Sequence, residues 1–141
     1  MLLVVIDTNE LLKMAAERKR SPLFVAWRAG RFELVMSEDM LSELQDAAAK
    51  PKVLRFLPED TGRQFVTFVS KWATFVPLAI DFPHCRDARD DVVIATAVAA
   101  RAQFIVTADN DLHDLPLVAC LRDEWNIRVV YPAEFLAALQ P

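Results

Sequence analysis

Glycine is nearly absent from this sequence: Gly30 and Gly62 are the only two in 141 residues. Phosphate-cradling loops and dinucleotide fingerprints need several glycines within a short span, so both are excluded, along with the α/β enzymes built on them. Cysteine is just as scarce. Cys85 and Cys120 stand in no metal-ligand spacing, and two reduced thiols in a cytoplasmic protein are the simpler expectation. Long apolar runs are missing too. Charged residues interrupt every stretch before the ~18 residues of a membrane span, so no membrane partner is expected. The opening MLLVVIDTNE lacks a basic stretch and a small-residue cleavage site, and reads as a buried strand rather than a signal peptide. There is no internal repeat and no low-complexity segment. Finally, basic charge is not in excess: the net charge is −4. A nucleic-acid binder normally carries a basic footprint, so that partner fits only if several acids gather around a bound cation.

What is present is a 54% hydrophobic chain of single-domain length, taken as one domain over residues 1–141. Strand-like runs are expected at Leu2 to Ile6, Phe32 to Met36, Phe75 to Ile80, Phe104 to Thr107 and Arg128 to Tyr131. Helical patterns lie between them: about Glu10 to Glu17, Leu23 to Ala29, a helix capped by Ser37 and running to about Ala49, Pro58 to about Ala73, about Arg89 to Ala102, a short turn near Leu112, Val118 to Trp125, and Ala133 to Leu139. Apolar strands alternating with amphipathic helices predict an α/β fold with a parallel sheet covered on both faces. Ligands of such sheets bind beyond the carboxyl ends of the strands.

The acids fall at that edge. Asp7 follows the first strand directly, and Asp109 and Asp111 follow the fourth. Each alone is weak evidence, because Asp is common in turns. Asp91 says more: on a helix advancing ~100° per residue it shares the stripe of Ile94, Ala95 and Val98, where a carboxylate is costly unless paired, hydrogen-bonded or metal-bound. The alternative is an acid stabilised by the helix N-terminus, which also suits Asp87 and Asp90. Glu43 lies on the flank of the Met40–Leu41–Leu44 stripe, about 100° from its centre, and could reach the crevice. Gathered together, four like charges would take up protons unless a cation were present. Hard oxygen ligands point to Mg²⁺ or Mn²⁺, and so to attack of a water on a phosphodiester.

Four segments then resemble the motifs of one family: Val5-Ile6-Asp7-Thr8-Asn9; Ser37-Glu38-Asp39-Met40-Leu41-Ser42-Glu43-Leu44; Cys85 through Ala95, containing Asp87-Ala88-Arg89-Asp90-Asp91; and Val106-Thr107-Ala108-Asp109. Their order and spacing are similar to those of PIN domains. The ending Tyr131-Pro132-Ala133-Glu134-Phe135-Leu136 is similar to that family's as well. The resemblance covers essentially the whole chain and runs most strongly to the VapC-like toxins of bacterial toxin–antitoxin pairs. It implies a three-layer α/β/α sandwich with a mainly parallel sheet, and Mg²⁺- or Mn²⁺-dependent endonucleolytic cleavage of RNA. By motif position it implies Asp7, Glu43, Asp91 and Asp109 as catalytic, metal-binding acids and Asp111 as an auxiliary metal-binding acid. Thr8, Asn9 and Thr107 would shape the site. It further implies a small antitoxin protein as partner and a homodimer or higher homo-oligomer. Glu10 departs from the pattern, adding an acid where an apolar residue is usual, and Ala88 replaces a customary Pro.

Arg86 and Arg89, beside the acids, are candidate RNA contacts. His84 and His113 are given no role, and Trp27, Trp72 and Trp125 are assigned to core or dimer contacts. A phospho-acceptor domain would want paired acids after the first strand, and a dehalogenase-type phosphatase an acid at position 9, which is Asn9. The remaining alternatives are a catalytically weak PIN-fold binding module and a housekeeping RNA-processing nuclease.

Overall fold

The computed structural model describes residues 1–78 and 91–140. Strands β1 (Leu3–Ile6), β2 (Glu33–Met36), β3 (Thr74–Phe75), β4 (Phe104–Val106) and β5 (Arg128–Val130) form one sheet in the order β3-β2-β1-β4-β5. Every pairing is parallel. Val4, Val5 and Ile6 of β1 and Ile105 and Val106 of β4 are fully buried, which explains why these strands show no polar alternation. Burying each such side chain stabilises the fold by ~1.5–3 kcal/mol.

Helices α1 (Thr8–Glu17), α3 (Glu38–Ala48) and α5 (Glu59–Trp72) pack on one another; α2 (Pro22–Arg28) packs on α8 (Pro132–Leu139). Helix α6 (Val92–Ala100) lies against β1, β2 and β4, and α7 (Leu115–Trp125) against β5. A one-turn helix, α4 (Pro51–Leu54), joins α3 to α5. The result is the expected α/β/α sandwich. The strand order reverses at β1, whose chain leads to β2 on one side while β4 pairs on the other. That switch point is where the crevice opens.

Several boundaries differ from expectation. Helix α1 begins at Thr8, directly after Asp7, and α7 begins at Leu115, where the Asp114 side chain accepts the Leu117 N–H at 3.4 Å. Strand β3 is two residues long rather than reaching Ile80, and residues 79–80 lie outside the described part. Trp27 is buried as expected, but Trp72 is 62% exposed. Cys120 is joined in a disulfide, which corrects the expectation of two reduced thiols; Cys85 lies outside the described residues. Among the described residues no helix is long and apolar enough to cross a membrane.

Candidate active site

Asp7 is the first residue past β1, held by its N–H donating to the Val106 carbonyl of β4 at 3.0 Å. It occupies the N-cap of α1, yet its side chain makes no capping hydrogen bond. Instead Oδ2 accepts the Thr107 hydroxyl at 2.7 Å. Thr107 is itself fully buried, and its Oγ1 also accepts the Asp109 N–H at 3.0 Å. One hydroxyl therefore ties the ends of β1 and β4 together and sets the positions of two acids. Asp109 in turn accepts the Asp111 N–H through Oδ1 at 2.9 Å. Asp111 is exposed and joins the group through its backbone, not its carboxylate.

Asp91 stands one residue before α6, not within it. Its Oδ1 accepts the N–H groups of Val93 at 2.8 Å and Ile94 at 3.4 Å. The expectation that it lies on the apolar stripe of a helix is thus corrected: it is an N-cap. The stripe itself is ill-defined, because VVIATAVAA is apolar on every side and buried from Val93 through Val98. Even so, burial raises the Asp91 carboxyl above its ordinary 3.8; the Val93 and Ile94 N–H groups oppose this, and the charges of Asp7 and Asp109 add to it.

Glu43 lies on α3, whose start is tied to α6 by a buried Ser37–Thr96 hydroxyl pair at 2.7 Å. Its carboxyl is raised above its ordinary 4.5, first by partial desolvation and then by Asp91, Asp7, Asp39 and Asp46. The whole residue is exposed, so that desolvation is local to the carboxyl. Asp91 thus lies within reach of the charges of Asp7 and Asp109, and Glu43 within reach of those of Asp91 and Asp7, though of the four only Asp7 and Asp109 line the cleft at this edge.

A cleft of about 650 Å³ opens beside this edge, lined among others by Asp7, Asn9, Glu10, Lys13 and Asp109. Glu10, the departure from the motif, is 6% exposed and meets Lys13 at 3.4 Å. A second hollow of about 400 Å³, lined by Trp27, Glu33, Phe68, Trp72 and Thr74, lies at the amino ends of β2 and β3 and gathers no acids beyond Glu33. Arg86 and Arg89 lie outside the described residues, as do Asp87 and Asp90.

The donor set suits a hard cation: all the converging groups are carboxylates, two of them raised by proximity and burial, and the Thr8 hydroxyl is buried without a partner. Among the described residues, however, no three acids stand close enough to form a ready-made coordination shell. That fits an ion which keeps several waters and engages one or two carboxylates, and does not fit a closed all-protein cage.

Two supporting groups escaped sequence reasoning. Thr96 carried no signal beyond its place in an apolar run. His113 donates from Nε2 to the Thr107 carbonyl at 2.8 Å and stacks on Tyr131 at a ring separation of 3.7 Å. Its proximity in sequence to Asp109 was the only available hint.

A family model described as PIN domain matches residues 3–111, a span containing all four acids. No curated protein matches the chain. Among solved structures, a chain of VapBC2 from Rickettsia felis, crystallised bound to a DNA fragment from their promoter, is similar with a TM-score of 0.55 at 14% identity. The match covers 92% of this chain and 98% of that one. At such identity the likeness is one of fold.

Proposed function

Because this chain belongs to the PIN-domain family, we propose that it is a metal-dependent endoribonuclease whose catalytic acids are Asp7, Glu43, Asp91 and Asp109. The observation that carries this is the shared field of the acids: burial and neighbouring carboxylates raise both Glu43 and Asp91. Like charges so placed disfavour one another's ionisation, and a bound cation would relieve that.

Asp7, Asp91 and Asp109 would hold Mg²⁺ or Mn²⁺, with Glu43 and Asp111 at its margin. When bound, such an ion would supply Lewis-acid polarisation of a phosphate oxygen and a more acidic water. The protein's own residues do the rest. Thr107 holds the Asp7 carboxylate in one orientation and Asp109 in register with it. Glu43, exposed and with a raised affinity for protons, accepts the proton of the water that attacks phosphorus. The P–O bond to the leaving ribose oxygen breaks, and that oxygen takes a proton from solvent. Thr8 and Asn9, at the start of α1, border the substrate phosphate, and Arg86 and Arg89 remain candidate RNA contacts.

We further infer a toxin of a type II toxin–antitoxin pair, held silent by a small antitoxin protein and assembled as a homodimer or higher homo-oligomer. The fold likeness to a VapBC2 chain supports this. Acting on cellular RNA places it in the cytoplasm, where the disulfide at Cys120 would be open to reduction.

Purified protein incubated with structured and unstructured RNAs should cleave with Mn²⁺ and not with EDTA. An Asp7→Asn variant indistinguishable from the parent would sink the enzyme reading. Growth arrest on expression, relieved by the adjacent small gene, separates a toxin from a housekeeping nuclease. One observation favours a second reading, a PIN-fold binding module: no three described acids grip an ion unaided. RNA binding without cleavage at any Mn²⁺ concentration would select it.

A further inference from the structure

The cleft beside the acids has an unlike lining: Asp7, Glu10 and Asp109 are joined in it by Lys13, Lys52 and Phe56. Lys52 and Phe56 are brought there by the segment around α4. Val53 and Leu57 are buried at 5% and 1%, one turn apart, and anchor that segment. The turn continues past α4, with the Phe56 and Leu57 N–H groups both donating to the Val53 carbonyl, at 3.0 and 2.9 Å. Lys52 and Phe56 are therefore also one turn apart, on the neighbouring face about 100° away, and they line the cleft together with Val53. Phe56 is 53% exposed, so its ring is open to a ligand in the cleft that it lines. Lys13 is tethered to buried Glu10 at 3.4 Å, which holds its ammonium at the cleft while leaving its side chain 62% exposed.

A polyanion entering this cleft faces repulsion from the acids. Among the lining residues only Lys13 and Lys52 offset it. Lys13 already shares its charge with Glu10, and Lys52 makes no ion pair with a described residue. An exposed aromatic ring next to a free ammonium is the pairing that binds a single-stranded nucleic acid, since every unpaired base offers a face for stacking and every linkage a phosphate. A duplex hides its base faces and cannot use the ring. The cleft volume lies within the range of pockets that enclose a ligand of drug size, enough for a nucleotide beside the acids.

We propose that Lys52, Phe56 and Lys13 form a subsite that holds single-stranded RNA next to the acid edge, Phe56 stacking on a base and the lysines meeting flanking phosphates. This rests on the nuclease reading for the identity of the substrate. It assigns the substrate's strandedness to a surface distinct from the catalytic acids.

The test uses the full chain, a fluorescent single-stranded RNA and a duplex of the same sequence, with binding measured in the Asp7→Asn background and cleavage in the active protein. Phe56→Ala should weaken single-strand binding about tenfold, the loss of one stacked base, and raise KM by a similar factor with kcat within about threefold. Phe56→Trp should restore it. Lys52→Ala should lower the slope of log affinity against log salt by about 0.7, while Lys52→Arg retains it. Trp72→Ala, at the other end of the sheet, serves as control. Duplex affinity should be indifferent to Phe56. Parental cleavage with KM and salt slope unmoved by both alanine variants overturns the subsite and leaves the nuclease reading intact; it is also the outcome expected if an apolar protein segment covers this part of the cleft. Absence of cleavage, with binding still dependent on Lys52 and Phe56, overturns the nuclease reading and leaves the subsite standing.

Discussion

Asp91 carries two duties that a pair of substitutions can separate. Its Oδ1 caps α6 by accepting the Val93 and Ile94 N–H groups, which favours the ionised form. Burial and the charges of Asp7 and Asp109 oppose ionisation and prevail, since the carboxyl is raised. Asn caps helices about as well as Asp, so Asp91→Asn keeps an acceptor oxygen and removes the charge. Losing the anion's attraction to the helix N-terminus costs about 0.3–1 kcal/mol. Removing repulsion from two carboxylates returns a few tenths to 1 kcal/mol each, by analogy with exposed pairs of opposite sign. The net change in stability should lie within about 1 kcal/mol of zero. Asp91→Ala loses the cap as well and should cost about 1–2 kcal/mol. Both variants should lose about a hundredfold or more in cleavage rate, the scale for removing one electrostatic group from an active site. Urea midpoints in EDTA, with slopes compared, read stability, and initial rates with Mn²⁺ read activity. An Asn variant as unstable as the Ala variant would show that the charge itself holds the fold. An Asn variant cleaving at the parental rate would remove Asp91 from the site.

Thr107→Val removes the hydroxyl that donates to half-buried Asp7 and accepts from the N–H of exposed Asp109, and should cost about 1 kcal/mol through the lost bonds. Thr107→Ser should recover most of that and most of the activity, and a Val variant as stable and active as the parent would refute the tie. His113→Phe keeps a ring against Tyr131 and loses the bond to the Thr107 carbonyl, with an expected cost of about 1 kcal/mol in urea unfolding. In EDTA the raised carboxyls of Asp91 and Glu43 make the folded state bind more protons than the unfolded chain. Their contribution is therefore most favourable below the ordinary values of 3.8 and 4.5 and declines as pH rises through the raised ones. An Asp91→Asn/Glu43→Gln double variant should lose this decline in midpoint as pH rises above those ordinary values, and an unchanged profile would count against the shared field. An ion that binds only the folded state adds ~2.7 kcal/mol at a hundred times its Kd; Mn²⁺ should raise the Tm of the parent and not of Asp7→Asn, and equal shifts would refute the assignment.

The sheet was legible because its strands are buried on both sides and so read as unbroken apolar runs, as in Val4-Val5-Ile6. The acids after β1 and β4 were legible for the same reason: a run that ends abruptly in Asp marks the carboxyl edge. Asp91 was found by an argument that the structure revises. Helical phase is informative only when a helix has one apolar face, and α6 is apolar all round; the residue matters as a cap with an unfavourable charge, not as a charge on a stripe. Glu43 shows the opposite limit. Its flank position was compatible with solvent or crevice; it is exposed and does not line the cleft, yet the packing of α3 against α6 leaves its carboxyl within reach of the charges of Asp91 and Asp7. Lys52 and Phe56 could not be read at all, because nothing local relates α4 to the ends of β1 and β4.

The unfavourable electrostatics of the acid edge are confined by the way the chain is folded there. Three of the four acids sit at the end of an element, where backbone N–H groups or a buried hydroxyl can hold an oxygen: Asp7 through Thr107, Asp91 through Val93 and Ile94, Asp109 through the Asp111 N–H. These bonds fix geometry without neutralising charge, so the carboxylates stay crowded in the absence of a cation. The net charge of −4, at first an objection to a nucleic-acid enzyme, thus becomes a local property of the site. A polyanion gains little from such an edge until a cation occupies it, and the basic charge needed for approach has to come from beside the acids. Lys13 and Lys52 are the lining residues that can supply it. On the nuclease reading proposed above, the crowding that disfavours the ionised acids would make substrate binding conditional on the ion, coupling recognition of RNA to readiness for chemistry.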